Sequence, residues 1–334
     1  MRCPAEGLNR REFVRTVSTG LVLFPVLGAD GFAQTAASPR SRVMLVRTSD
    51  RKKGVAEILK LMDLKGVAGK RVLLKPNFNS VDETPGSTHN DTLSQLVTEL
   101  RQRNARSITV GDASGPRGST QSVMEKKGIF DMGRDMRFDV LNFEELTDKD
   151  WVPFPAAGTH WPDGFHLARP VVDSEYTVST CCLKTHGVGG VISMSLKLSV
   201  GTTPKPIRQT VMHASPDMRR MIAELNTGYK PSLIVMDGVL AFTDGGPATG
   251  ELKQANVMIA GTDRVAVDAV GVAMLKSLGA NQTIMGRPIF EQEQIARAVE
   301  LKLGVTSPGA IEIVTADAEG RALADTLRPI LAQG

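Results

Sequence analysis

The sequence predicts an α/β fold: a mostly parallel, doubly wound sheet with helices on both faces and an irregular insertion. Three observations predict it. Short apolar segments of strand character alternate with segments of helical period along most of the chain. The order of these segments over 42–127 is a βαβ rhythm, which implies a parallel sheet with helices on both faces. One stretch, about 145–172, breaks the rhythm with four prolines and both tryptophans, and reads as a loop or β-hairpin inserted into the repeat.

The elements follow in order. RVMLVR (42–47) is a strand and GVAEILKLMDL (54–64) a helix. RVLLK (71–75) is a strand that runs into PNFNS. HNDTLSQLVTELRQRNA (89–105) is an amphipathic helix with Leu93, Leu96, Val97 and Leu100 on one face. SITVGD (107–112) is a strand, and a helix follows near 119–127. FDVLNF (138–143) is a strand before the insertion. The rhythm resumes with the strand YTVSTCCLK (176–184), a helix over VISMSLKLSV (191–200), a polar loop over 202–216 and a helix to about 226. SLIVMDG (232–238) and NVMIAG (256–261) are strands around a glycine-rich loop. Helices are expected over 263–278 and 288–303, then a strand IEIVTA and a short C-terminal helix. Residues 34–334 form a single α/β domain in this reading.

The first 33 residues read as an export signal. Arg10 and Arg11 are paired, Phe13 and Arg15 follow, and a modest apolar run covers 17–27. Gly31 and Ala33 then stand at cleavage-like spacing. The pattern predicts export by the twin-arginine translocase, removal of the signal and residence in the periplasm. The apolar run is too short for a comfortable membrane span, so no stable span is expected in the mature chain.

Composition narrows the partners. A net charge of +4, without a long basic run and with only two Trp and two Tyr, argues against nucleic acid. Three cysteines, one of them in the signal, cannot form a four-cysteine iron–sulfur site, so no such cluster of its own is expected.

Ligands of doubly wound sheets bind beyond the carboxyl ends of the strands, and five ends here are polar. One carries Lys75 and Asn77, with His89 at the start of the next helix. Another carries Asp112 and Ser114. A third carries Lys184, His186 and Gly189, and the apolar run behind it returns Lys197 and stops at Gly201. A fourth carries Asp237, then Gly245, Gly246 and Gly250; the last carries Thr262 and Asp263. Three lysines and glycine loops suit a small anionic ligand, and a helix starting near Val191 would direct its positive end there. Lys184, His186 and Lys197 are the candidate catalytic groups. His186, His89 and His213 are candidate ligands of a divalent metal. Plain alternatives stand beside these. Asp112 and Asp237 could cap turns, His89 could cap its helix, and Lys197 could reach past apolar neighbours to solvent.

In order, KPNFN, TH, GD-x-SG, LKTH with SLK and a following glycine, DG with GGP-x-x-G, and TD-x-x-AVDAV make a set that resembles the domain of unknown function 362 family, from about Val43 to Val314. The resemblance implies an α/β fold with a site near the KTH and SLK motifs, and a histidine at the position of His213. Many relatives carry an iron–sulfur module that this chain lacks, and SLKN is often found where this chain has SLKL. Three functions are therefore expected to compete: an enzyme or metal-handling protein acting on a small anion, a non-catalytic periplasmic protein binding an anion or metal complex, and a redox partner of a separate iron–sulfur protein.

Overall fold

The computed structural model describes residues 40–116 and 118–333. The expected export signal lies outside the described residues. The strands are β1 (Ser41–Arg47), β2 (Arg71–Lys75), β3 (Ser107–Asp112), β4 (Asp139–Asn142), β5 (Trp151–Phe154), β6 (Phe165–Ala168), β7 (Tyr176–His186), β8 (Val191–Ile192), β9 (Leu233–Gly245), β10 (Gly250–Gly261) and β11 (Ile311–Val314).

Nine of these strands make one sheet, in the order β11-β1-β10-β9-β7-β2-β3-β4, with the short β8 paired to β7. From β9 to β4 all neighbours are parallel, and β11 pairs parallel with β1. β10 is antiparallel to both β9 and β1. The fold is α/β with a mostly parallel sheet, as expected. The insertion forms the antiparallel hairpin β5-β6.

Alternation along the strands builds a core on each face. Val43, Leu45, Ile234, Met236, Val257 and Ile259 pack with the helices Arg264–Ser277 and Ala318–Ala332. Met44, Val46, Leu233, Val235, Met258 and Ala260 pack on the other face with Arg51–Leu61 and Asn90–Gln102. A third cluster seats the inserted hairpin through Trp161, Phe165 and Leu167 against the helix Met218–Leu225. Among the described residues no helix is long and apolar enough to cross a membrane.

Several expected elements differ. The glycine-rich stretch after 238 is mostly strand. β9 and β10 continue as a long hairpin that turns only at 246–249, with Gly245 and Gly246 at positive φ. No helix spans 191–200. Val191 and Ile192, a β-branched pair, form β8, and only Ser195–Leu198 is α-helical. The polar loop over 202–216 holds a short helix, Lys205–Ile207, and a π-turn, Arg208–Met212. The region 288–303 is a 3₁₀ turn followed by a helix only from Glu293 to Glu300. The C-terminal helix is long, with 15 residues.

The chain order reverses at β2. From there the strands run outward to β3 and β4, and the chain returns to the other side as β7 and β9. The carboxyl ends of β2 and β7 therefore flank a switch point, where a crevice opens.

Candidate functional site

A cavity of about 320 Å³ occupies that crevice. Its walls come from the ends of β2 (Lys75, Asn77, Asn79), β3 (Asp112, Ala113, Gly115) and β7 (His186). The segment after β8 (Ser193, Lys197, Gly201), the π-turn (Arg208, Gln209, His213) and the β9-β10 turn (Gly246–Thr249) complete it.

Lys75 and Asp112 form a buried ion pair, Nζ to Oδ1 at 2.7 Å. The remaining contacts tie both groups down. Lys75 Nζ donates to the Pro76 carbonyl at 2.9 Å, and Asp112 Oδ2 accepts from the Phe78 N–H at 2.7 Å. Burial pushes the Lys75 ammonium down and the Asp112 carboxyl up, and each is held charged chiefly by the other. Gly201 is required beside them. A Cβ there would lie 2.3 Å from Asp112 Oδ1 and 2.8 Å from Lys75 Nζ.

At the end of β7 the three candidate catalytic groups separate. Lys184 Nζ donates to the carbonyls of Gly86 at 2.7 Å and Pro247 at 3.0 Å, joining the loop after β2 to the hairpin turn. It is outside the cavity lining. His186 and Lys197 do come together. A Cβ at Gly190 would meet His186 Nδ1 at 2.8 Å and Lys197 Cε at 3.0 Å, so this glycine leaves room for both. His186 Nδ1 accepts the Gly190 N–H at 3.3 Å, which puts its proton on Nε2.

The SLK segment is fixed from behind. Asp268, fully buried in the helix Arg264–Ser277, accepts the N–H groups of Ser195 at 2.8 Å and Leu196 at 2.9 Å. The amino end of this short helix is thus closed by a carboxylate and does not point at a ligand, contrary to the expectation from sequence. Burial raises the Asp268 carboxyl to about 7, against the pull of these two donors.

Arg208 and His213 come from the π-turn, closed by the His213 N–H on the Arg208 carbonyl at 3.0 Å. The Arg208 guanidinium, only 4% exposed, donates to the carbonyls of Ala113, Ser114 and Val200, clamping the end of β3 to the SLK segment. His213 Nδ1 lies 2.6 Å from the Arg208 carbonyl, an acceptor only, so Nδ1 carries the proton and Nε2 keeps a lone pair. Arg208 does not stand out in the sequence, and Asp268 does so only as part of the TD-x-x-AVDAV motif, with no role assigned there. Arg208 hides in an apparent loop, and Asp268 lies mid-helix among apolar residues.

Other predicted residues lie elsewhere. Asp237 is fully buried and accepts from Arg51 Nε at 2.8 Å and Thr92 Oγ1 at 2.7 Å, tying two helices to β9. His89 caps Asn90–Gln102, its Nδ1 accepting the Asp91 N–H at 3.0 Å. Ser114 is buried outside the lining, and Gly245 and Gly250 shape the hairpin. Gly189 lines a neighbouring hollow of about 700 Å³, which His186 also borders. Of the three candidate metal ligands, only His186 and His213 share the cavity. Among the described residues no three His, Cys, Asp or Glu side chains group to hold a metal ion. Two imidazoles beside Lys197 and Arg208, with the one lining carboxylate among the described residues already paired, offer few donors for a divalent cation.

The electrostatics favour an anion. Burial lowers Lys197 to about 7, and the charges of Lys184 and Arg208 act in the same direction. Burial, with Lys197 and Lys184 next, keeps His186 far below its usual range and therefore neutral. Burial also lowers His213. Within the lining, Asp112 is the sole carboxylate among the described residues.

The sequence model of the family described as Domain of unknown function (DUF362) matches residues 72–273. A thylakoid-associated protein of Synechocystis sp. is 26% identical over 212 residues, which cover 60% of this chain and 62% of that protein. The chain thus matches less than two thirds of that relative's length. Among solved structures, the lactate racemase apoprotein from Thermoanaerobacterium thermosaccharolyticum superposes with a TM-score of 0.41 at 12% identity, covering 67% of this chain and 54% of that one. A Thermotoga maritima protein superposes with a TM-score of 0.42 at 15% identity, covering 62% and 54%.

Proposed function

The chain belongs to the domain of unknown function 362 family, and on that premise we propose that it binds a small anionic ligand in the cavity at the ends of β2, β3 and β7. One observation carries the reading: the cavity holds the Lys197 amine without a counter-charge, while its only lining carboxylate among the described residues, Asp112, is already bound to Lys75. An anion entering there supplies the missing partner. His186 Nε2–H offers a donor, and the fixed charge of Arg208 adds to the positive field. A cavity of about 320 Å³ suits a ligand of a few carbons or a single phosphate.

The test is calorimetric titration with phosphate, pyruvate, propionate and succinate, against wild type and Lys197→Met. Saturable binding of at least one anion, lost in the variant, supports the reading. Equal binding by both proteins sinks it.

We propose in addition that residues 1–33 direct export to the periplasm through the twin-arginine translocase, on the strength of Arg10, Arg11, Phe13 and the apolar run behind them. Replacing both arginines by lysine should leave the unprocessed protein in the cytoplasm. Unchanged export of that variant would exclude the route.

A further inference from the structure

Three lysines are almost fully buried near the strand ends, and two of them have their hydrogen bonds made. Lys75 bonds Asp112 and the Pro76 carbonyl; Lys184 bonds the Gly86 and Pro247 carbonyls. Lys197 is 8% exposed and lines the cavity. Among the described residues its Nζ has no hydrogen-bond acceptor and no carboxylate within ion-pair distance. Met194, Leu198 and Val200 stand in the same lining, beside neutral polar side chains such as Ser193 and Gln209, and the charges that act on the amine are those of Lys184 and Arg208. An ammonium there is desolvated and repelled, whereas a neutral amine is not. A neutral lysine amine facing a small cavity is a nucleophile towards carbonyl carbon.

We infer that Lys197 forms an imine with a small carbonyl-bearing acid, of the 2-oxo acid class, held in the cavity. The inference rests on the anion-binding reading and adds the carbonyl. Lys197 Nζ donates its lone pair to the carbonyl carbon, and the C=O π pair moves to oxygen. One amine proton passes to that oxygen, with His213 Nε2 as the acceptor that relays it. A second proton comes from solvent, and the oxygen leaves as water. The C=N bond forms with the other amine proton still on nitrogen. One proton is consumed, one water is released, and no oxidant or reductant takes part. His186 Nε2–H polarises the carbonyl by hydrogen bonding.

The test uses the full chain with pyruvate or glyoxylate, reduced with borohydride and digested for peptide mass spectrometry. Propionate serves as the anion without a carbonyl. The expected result is a reduced adduct on Lys197, none on Lys75 or Lys184, and none in Lys197→Arg. If pyruvate and propionate bind alike and Lys197 stays unmodified, the imine is excluded and the anion site stands. If neither binds, both readings fall. Adducts confined to exposed lysines also overturn the inference. A thermal melt of Lys197→Arg separates loss of the amine from loss of the fold.

Discussion

Lys75 Nζ lies 2.7 Å from Asp112 Oδ1, at the carboxyl ends of two adjacent parallel strands, with both side chains buried. Removing one partner leaves the other charged in a site that cannot solvate it. Asp112→Ala is expected to cost about 3–5 kcal/mol of stability, whereas replacing both residues by apolar ones costs much less. A double-mutant cycle by urea denaturation checks this. Strictly additive losses would show that the pair is not coupled.

Gly201 leaves the space that this pair occupies. Gly201→Ala puts a methyl group 2.3 Å from Asp112 Oδ1, so the carboxylate, the lysine or the SLK segment must move. The expected outcome is a destabilisation of about 1–3 kcal/mol, together with weaker anion binding. Gly309→Ala, with open space at the added Cβ, is the control and should be nearly silent. A Gly201→Ala protein with unchanged stability and affinity would contradict the packing described.

Asp268 acts as a positioning residue for Lys197. Asp268→Ala strips the acceptor from two buried N–H groups, at about 1–3 kcal/mol for each donor left unpaired. Asp268→Asn keeps one good acceptor and should fall between. If the role is positioning, Asp268→Asn also shifts the pH at which Lys197 titrates, read by the pH dependence of anion affinity. A loss of stability alone, with that midpoint unmoved, would make the residue purely structural.

The pH dependence of stability has a definite sign at Lys197. Its amine titrates near 7 in the fold and near the ordinary 10.5 when unfolded, so between these values the unfolded chain binds the proton more tightly. This residue's contribution to stability therefore rises from pH 7 to pH 10.5, and below 7 its penalty is complete. Lys197→Met is expected to stabilise the protein by on the order of 5 kcal/mol at pH 6 and by little near pH 10.5. Urea melts of both proteins at the two pH values decide it. An equal difference at both would mean that the amine is not perturbed by burial.

Most of the site is legible in the sequence because polar residues at strand ends are conspicuous against apolar strands. Lys75, Asp112 and His186 are legible in this way, Lys197 and Gly201 from the apolar run behind the third strand end, and His213 through the family resemblance; all of them line the cavity. Asp237 sits at an equally polar strand position, yet it faces Arg51 and Thr92, partners 186 and 145 residues away. Only the tertiary fold pairs such residues. Val191 to Val200 reads as helical because its apolar residues are dense. The preceding glycines and the positive φ of Val191 turn its start into a short strand instead. Gly245 to Gly250 suggests a loop, although glycine also permits the tight hairpin seen here. Arg208 is hidden because a π-turn has no simple periodic signature.

The most direct test of the central claim is calorimetric titration of wild type and Lys197→Met with propionate, which has no reactive carbonyl, at about pH 6.5 and about pH 9, on either side of the Lys197 titration. An anion site built on Lys197 predicts one saturable site, stronger at the lower pH and lost in the variant. Binding that is absent from both proteins, or present in both with no pH dependence, would contradict it.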